Sequence, residues 1–149
     1  MKDFFNSFET LREVTEYTRK FRDWDEAITN SKNLTKNNKI TYGKEILQFL
    51  DVDKYVIELF PLDSLENLIF NFMDKFEVRC EEIIEKTTGE KKIKVGTKVK
   101  IKEKYRGVSN IEESKVEKVV RFDEDTFHQG WYIYQLEDGR SFYGYELEF

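Results

Sequence analysis

The spacing of apolar residues changes once in this chain, near Gly89, and that change limits the available folds more than any other feature. Before Gly89 apolar side chains return every three or four positions, and from Val95 onward they return at every second position. The first spacing lines one face of a helix and the second one face of a strand. Helices followed by a sheet, an α+β order, are therefore expected. Glycine and charge change at the same place. Gly43 alone precedes the join, whereas Gly89, Gly96, Gly107, Gly130, Gly139 and Gly144 follow from it onward. Residues 1 to 87 carry 13 Lys and Arg against 18 Asp and Glu, and residues 88 to 149 carry 12 against 12, so the whole acidic excess is N-terminal. The polar run Thr87-Thr88-Gly89-Glu90-Lys91-Lys92 reads as a helix stop and short connector. It divides a helical domain at 1–88 from a β domain at 93–149.

In the first half, Phe8, Leu11, Val14, Tyr17 and Phe21 make one helix face, with Asn6 and Glu9 spaced as a capping box. Trp24, Ala27 and Ile28 extend that helix or begin a second. Thr29 to Lys39 holds almost no apolar residue and is expected as a loop, after which Thr41 offers an N-cap for Ile46, Leu47, Phe49 and Leu50. A short helix around Tyr55, Val56, Leu59 and Phe60 stops at Pro61. The longest element is expected from Asp63, capped with Glu66, to about Lys86. Its stripe runs Leu62, Leu65, Ile69, Phe72 or Met73, Phe76, Cys80 and Ile83, close to a seven-residue repeat. That stripe is either the core seam of a small bundle or a dimerising coiled coil. A DNA-reading helix-turn-helix over Lys44 to Leu68 fits poorly, since its turn, Asp51-Val52-Asp53, has no glycine and its second helix offers Lys54 against Glu58.

In the second half, Val99 and Ile101 alternate with Lys98, Lys100 and Lys102. Val116, Val119, Val120 and Phe122 form another alternation, with a bulge expected at the doubled valine. Asp138-Gly139 between Trp131–Glu137 and Arg140–Tyr143 is a strong hairpin signal, and Gly144 to Phe149 leaves room for a helical turn and a last strand. Three stretches, Val95-Gly96-Thr97-Lys98-Val99-Lys100-Ile101, Tyr105-Arg106-Gly107, and Tyr134-Gln135-Leu136-Glu137-Asp138-Gly139-Arg140 to Tyr145-Glu146-Leu147-Glu148, resemble SH3-like barrels of small bacterial and prophage proteins. The resemblance covers residues 93 to 149 and implies a five-stranded SH3-like β-barrel acting as an adaptor, with no catalytic residues. The acidic loop and aromatic pair of proline-reading SH3 domains have no counterpart here.

Catalytic groups are sparse. One histidine, His128, lies in a polar loop among Asp123, Glu124 and Asp125 and reads as a turn residue rather than a metal ligand. Cys80 sits on an apolar stripe, where a free cysteine behaves as a small hydrophobe. There is no Gly-x-Ser-x-Gly elbow, no Gly-rich phosphate loop and no dinucleotide fingerprint. The acidic clusters Asp23 with Asp25, and Glu81 with Glu82 and Glu85, read as solvated helix faces. A non-enzyme with no cofactor and no metal is expected. One cysteine, no apolar stretch of membrane-spanning length and no signal-peptide core point to a soluble cytoplasmic protein, monomeric or weakly dimeric.

Two features suggest binding. Lys98, Lys100, Lys102, Lys104 and Arg106 form a basic row that follows phosphates or protects an edge strand. The strand at Trp131 is apolar on both faces, so Tyr132 and Tyr134, with Tyr143 and Tyr145, either pack on the helices or form a recognition surface. The favoured expectation is an interaction protein of phage or mobile-element type that inhibits or modulates a host nucleic-acid-handling protein, in the manner of anti-restriction or anti-CRISPR proteins. Its contact residues would be Glu77, Glu81, Glu85, Tyr132, Tyr134 and Tyr143. The alternative is direct nucleic-acid binding through the basic row, and a third class is metal-dependent chemistry by Asp and Glu.

Overall fold

A computed structural model describes residues 3–29, 34–107, 112–124 and 129–149. The chain forms two compact units, Met1–Ile83 and Ile84–Phe149, so the last turn of the longest helix belongs with the sheet. The arrangement is α+β, with helices first and an antiparallel sheet second.

The helical unit contains α1 (Leu11–Lys20), α2 (Arg22–Thr29), α3 (Lys36–Phe49), α4 (Lys54–Leu59) and most of α5 (Leu65–Thr88). Helix α1 starts one turn later than the Asn6–Glu9 spacing predicts. Thr10 is its N-cap and Glu13 closes the box, each side chain accepting from the other residue's backbone N–H. Asn6 instead donates to Asp3 within a 3-10 turn, Phe4–Asn6, and that turn sends Phe4 inward. The Phe4 ring stacks on Phe8 at 5.0 Å between centroids and meets Phe49 edge-on at 4.8 Å. Phe21, Trp24, Phe72 and Phe76 complete this aromatic core, all of them buried.

The polar stretch before α3 is shorter than the expected loop. Thr35, rather than Thr41, caps the helix by accepting from Asn38 N–H. Once Ile46 and Leu47 anchor the helix, each further residue at its N-terminal end costs little and gains a backbone hydrogen bond, so Lys36 to Lys39 join it without an apolar face of their own. Gly43 lets α3 approach Leu65 closely, since a Cβ there would come within 2.7 Å of Leu65 Cδ2 and the leucine would have to shift. Asp53 caps α4 through Tyr55 N–H. Ile57 of α4 is buried with Leu47 and Leu65, and Val52 and Phe60 pack alongside. On α5, Leu65, Ile69, Phe72, Met73, Phe76, Cys80 and Ile83 are all buried, so the stripe is consumed within the chain as a core seam. Leu62 falls outside it, in the 3-10 turn Leu62–Ser64, and is 54% exposed.

In the second unit, β1 (Lys98–Ile101), β2 (Glu113–Arg121), β3 (Tyr132–Leu136), β4 (Ser141–Tyr143) and β5 (Leu147–Glu148) lie in the order β4-β3-β2-β1-β5, every neighbour antiparallel. The ladder is open, with β4 and β5 as its edges, so backbone pairing does not close the expected barrel. The bulge in β2 lies between Val116 and Lys118, not at the doubled valine. It turns Val116 inward opposite Leu136 while Lys118 stays exposed. Gly139 takes the positive φ of the β3–β4 turn, and Asp138 accepts from Arg140 N–H at 3.0 Å. Val99, Ile101, Val116, Tyr132, Tyr134, Leu136, Phe142 and Leu147 form the core, and the 3-10 turn Gly144–Glu146 leads into β5.

Candidate functional site

Two of the tyrosines expected at a surface are core residues. Along β3 the residues Tyr132, Tyr134 and Leu136 point inward and are at most 1% exposed, which removes Tyr132 and Tyr134 from any recognition surface. The phenol makes such burial affordable when it finds a partner. Tyr134 Oη accepts from Ile93 N–H at 3.1 Å, and the Glu90 carboxylate accepts from Trp131 N–H at 2.9 Å. The segment after α5, expected as a short connector, is thereby fastened to β3.

Outside the core, the turns of the sheet unit build a strip of rings in which Tyr145 is exposed and Tyr105, Phe122 and Tyr143 are half-buried. Tyr143 ends β4, Tyr145 lies two residues on in the 3-10 turn, Tyr105 sits in the 3-10 turn Glu103–Tyr105 after β1, and Phe122 follows β2. Tyr143 and Tyr145 are parallel to within 7° at 5.9 Å between centroids. Tyr105 meets Tyr145 edge-on at 5.7 Å, and Phe122 lies 6.0 Å from Tyr143. Tyr145 remains 46% exposed. The Glu146 carboxylate accepts from Tyr143 N–H at 2.8 Å and holds the turn that sets the two rings parallel. Partial desolvation, and after it the Glu146 charge, raises the Tyr145 phenol above its ordinary pKa. Lys104 Nζ lies 5.4 Å from the Tyr105 ring centre, a cation–π contact at the end of the strip.

The basic row does not form the expected ladder. Strand β1 ends at Ile101, so only Lys98 and Lys100 share a strand face, while Lys102 and Lys104 belong to the following turn. Strand β1 lies between β2 and β5, and β5 pairs with it at Lys100 and Ile101. Lys98 Nζ is 2.9 Å from the Glu113 carboxylate and lowers its pKa, first through the hydrogen bond and then through its charge. Lys100 pairs in register with Glu113 and Glu148. Arg106 donates to Ile101 O at 2.8 Å and lies 3.6 Å from Glu112, which tethers the loop that follows β1.

Of the acidic residues on α5, Glu85 is exposed, whereas Glu77 and Glu81 are half-buried. His128 and Asp125 lie outside the described residues. Among the described residues no group of three or more His, Cys, Asp or Glu is placed to hold a metal ion, and no helix is long and apolar enough to cross a membrane. No protein-family model, curated protein or solved structure matches this chain.

The sequence reading missed Tyr105 and Phe122 as members of the strip. The one available signal was that Tyr105, Tyr143 and Tyr145 all fall at strand ends, where turns place side chains on the outside. It also missed the outward face of α4, since Tyr55, Val56 and Leu59 fit helical spacing as well as any core residue.

Proposed function

We propose that this chain is a non-catalytic binding protein whose second unit is an SH3-like module and whose contact surface is the strip Tyr105, Tyr143, Tyr145 and Phe122. The observation that carries the reading is the parallel pair of half-buried Tyr143 and exposed Tyr145. Rings held rigid by their neighbours lose little freedom on binding, and each combines apolar area with a hydroxyl, which is why tyrosine dominates binding hot spots. The strand order and the 3-10 turn before β5 support the SH3-like assignment. A protein partner fits better than phosphates, because Lys98 is paired with Glu113 and Lys100 lies between Glu113 and Glu148. The N-terminal acidic excess suits a partner with a basic surface. A host nucleic-acid-handling protein, inhibited or modulated by a phage-type or mobile-element accessory protein in the anti-restriction or anti-CRISPR manner, is the concrete form of this proposal.

The wild-type chain and its Tyr145→Ala variant serve as baits against a bacterial lysate, with melting temperatures measured in parallel. Exposed Tyr145 contributes within about 0.5 kcal/mol to stability, so the variant is expected to melt as the wild type does and to lose the captured protein. Equal capture by both baits would sink the reading. So would salt-sensitive binding of an oligonucleotide lost in Lys98→Glu/Lys100→Glu, which would transfer the function to the basic row.

A further inference from the structure

The second unit holds a pocket of about 420 Å³ beside the tyrosine strip, and every residue that lines it belongs to that unit. Trp131, Tyr134, Tyr145 and Phe149 supply aromatic walls, and Glu90 places a carboxylate among them. Two glycines make the space. The Glu90 carboxylate lies against Gly130, where a Cβ would stand only 2.9 Å from Oε1. A Cβ on Gly144 would lie 3.5 Å from the Tyr134 ring and 3.9 Å from Glu90 Oε1, so a longer side chain there would occupy the pocket.

The carboxylate and the rings line the same pocket, and together they select its occupant. Glu90 is half-buried, and Trp131 N–H bonds both its oxygens, at 3.2 and 2.9 Å, which fixes where its charge points. That one donor leaves most of a carboxylate's accepting capacity for others. An anion would be repelled, and an apolar side chain would cover the carboxylate without pairing it, at a cost in desolvation. A cation gains from the charge and from the ring faces alike. Lys91, the other charged residue of the lining, is exposed, so water and salt screen its charge more than that of Glu90. Of the basic side chains arginine fits better than lysine. Its guanidinium is planar, more weakly hydrated than an ammonium, stacks on rings and gives two parallel N–H bonds to one carboxylate.

We propose that this pocket takes an arginine side chain of a basic protein partner, with the guanidinium paired to Glu90 and flanked by the aromatic rings. The proposal rests on the binding reading above, with which it shares Tyr145, and names the partner side chain that the reading leaves open.

Acetyl-arginine amide, titrated into the wild-type chain to about 20 mM and followed by amide NMR shifts, is expected to bind with a Kd on the order of millimolar. The shifts should centre on Trp131, Gly144 and Tyr145. Acetyl-citrulline amide has nearly the same shape without the charge and should bind at least about tenfold more weakly, and acetyl-lysine amide several-fold more weakly. Glu90→Gln keeps an oxygen for Trp131 N–H and removes the charge, so it should weaken the arginine amide at least about tenfold at an unchanged melting temperature. Gly144→Leu fills the pocket with Glu90 in place and provides the same test if Glu90→Gln fails to fold. Absence of shifts in the wild type overturns the proposal. So does an affinity unchanged in both variants, or a citrulline or lysine amide that binds as tightly as the arginine amide. The two readings fail separately. Arginine amide that binds the wild type but not Glu90→Gln upholds the pocket even if lysate capture is equal for wild type and Tyr145→Ala, and capture lost in Tyr145→Ala upholds the strip even if no arginine amide binds.

Discussion

The helical unit and the sheet unit spend their aromatic residues differently. In the first, Phe4, Phe8, Phe21, Phe72 and Phe76 meet ring to ring in one core. In the second, tyrosine serves both inside and outside: Tyr134 is buried with its hydroxyl bonded to Ile93 N–H, and Tyr145 is exposed in a stacked pair. Phenylalanine has only apolar surface, so a cluster of it identifies a core. Tyrosine has an apolar body and a polar tip, so its position depends on whether a partner for the hydroxyl exists inside. The comparison explains why the candidate surface lies on the unit that is poorer in phenylalanine.

The largest expected effect tests whether the phenylalanine cluster is one cooperative core. Phe4→Ala removes a ring that contacts Phe8, Tyr17, Phe21 and Phe49 and should cost about 3–5 kcal/mol in urea unfolding, although Phe4 lies close to the N-terminus. A loss below about 1 kcal/mol would mean that the N-terminal turn merely covers a core complete without it.

A smaller effect tests the polar half of the comparison. Tyr134→Phe keeps the ring and deletes one hydroxyl, which strands the Ile93 N–H in a residue only 4% exposed. The expected cost is about 1–3 kcal/mol, with amide exchange at Ile93 accelerated. If stability is unchanged, Tyr134 is a core ring like the phenylalanines and the contrast between the units weakens.

The smallest effect compares a carboxylate in each unit. Thr10 lowers the Glu13 pKa, first through its side-chain hydrogen bond, and Arg140 does the same for Asp138. A folded pKa below the unfolded one means that the unfolded chain binds the proton more readily. The stabilisation is therefore complete above the ordinary carboxylate range and is lost as pH falls through the lowered values. Thr10→Ala should cost about 1 kcal/mol at neutral pH and less in acid. Arg140→Ala should flatten the same acid limb through Asp138. A Thr10→Ala deficit as large at pH 3 as at pH 7 would show that the Glu13 charge contributes nothing to the cap.

Much of the fold was legible because periodicity and turn chemistry are local. The core seam of α5, the short α4 ending before Pro61, the Asp138-Gly139 hairpin and the helical turn before the last strand each follow from residues within a few positions of one another. Helix starts were less legible. Thr10 and Thr41 are equally plausible caps by type, yet Thr10 caps α1 while Thr41 lies inside α3. Local preference differs by about 1 kcal/mol between such sites, and tertiary burial of the neighbouring turns outweighs it.

The candidate site was legible in residue type but not in position. By itself the sequence determined that helices precede strands, that the acidic excess lies with the helices, and that Tyr132, Tyr134 and Leu136 share a face of β3, because all of these depend on spacing along the chain. The tertiary structure alone decided that β1 lies between two strands, that Tyr132 and Tyr134 are inside, that Tyr105 joins Tyr143 and Tyr145, and that Leu59 of α4 faces out. Each of these depends on which distant segment covers a residue. An apolar side chain has the same pattern signature whether its face is covered or left open, and only the packed neighbours distinguish a core position from a contact surface.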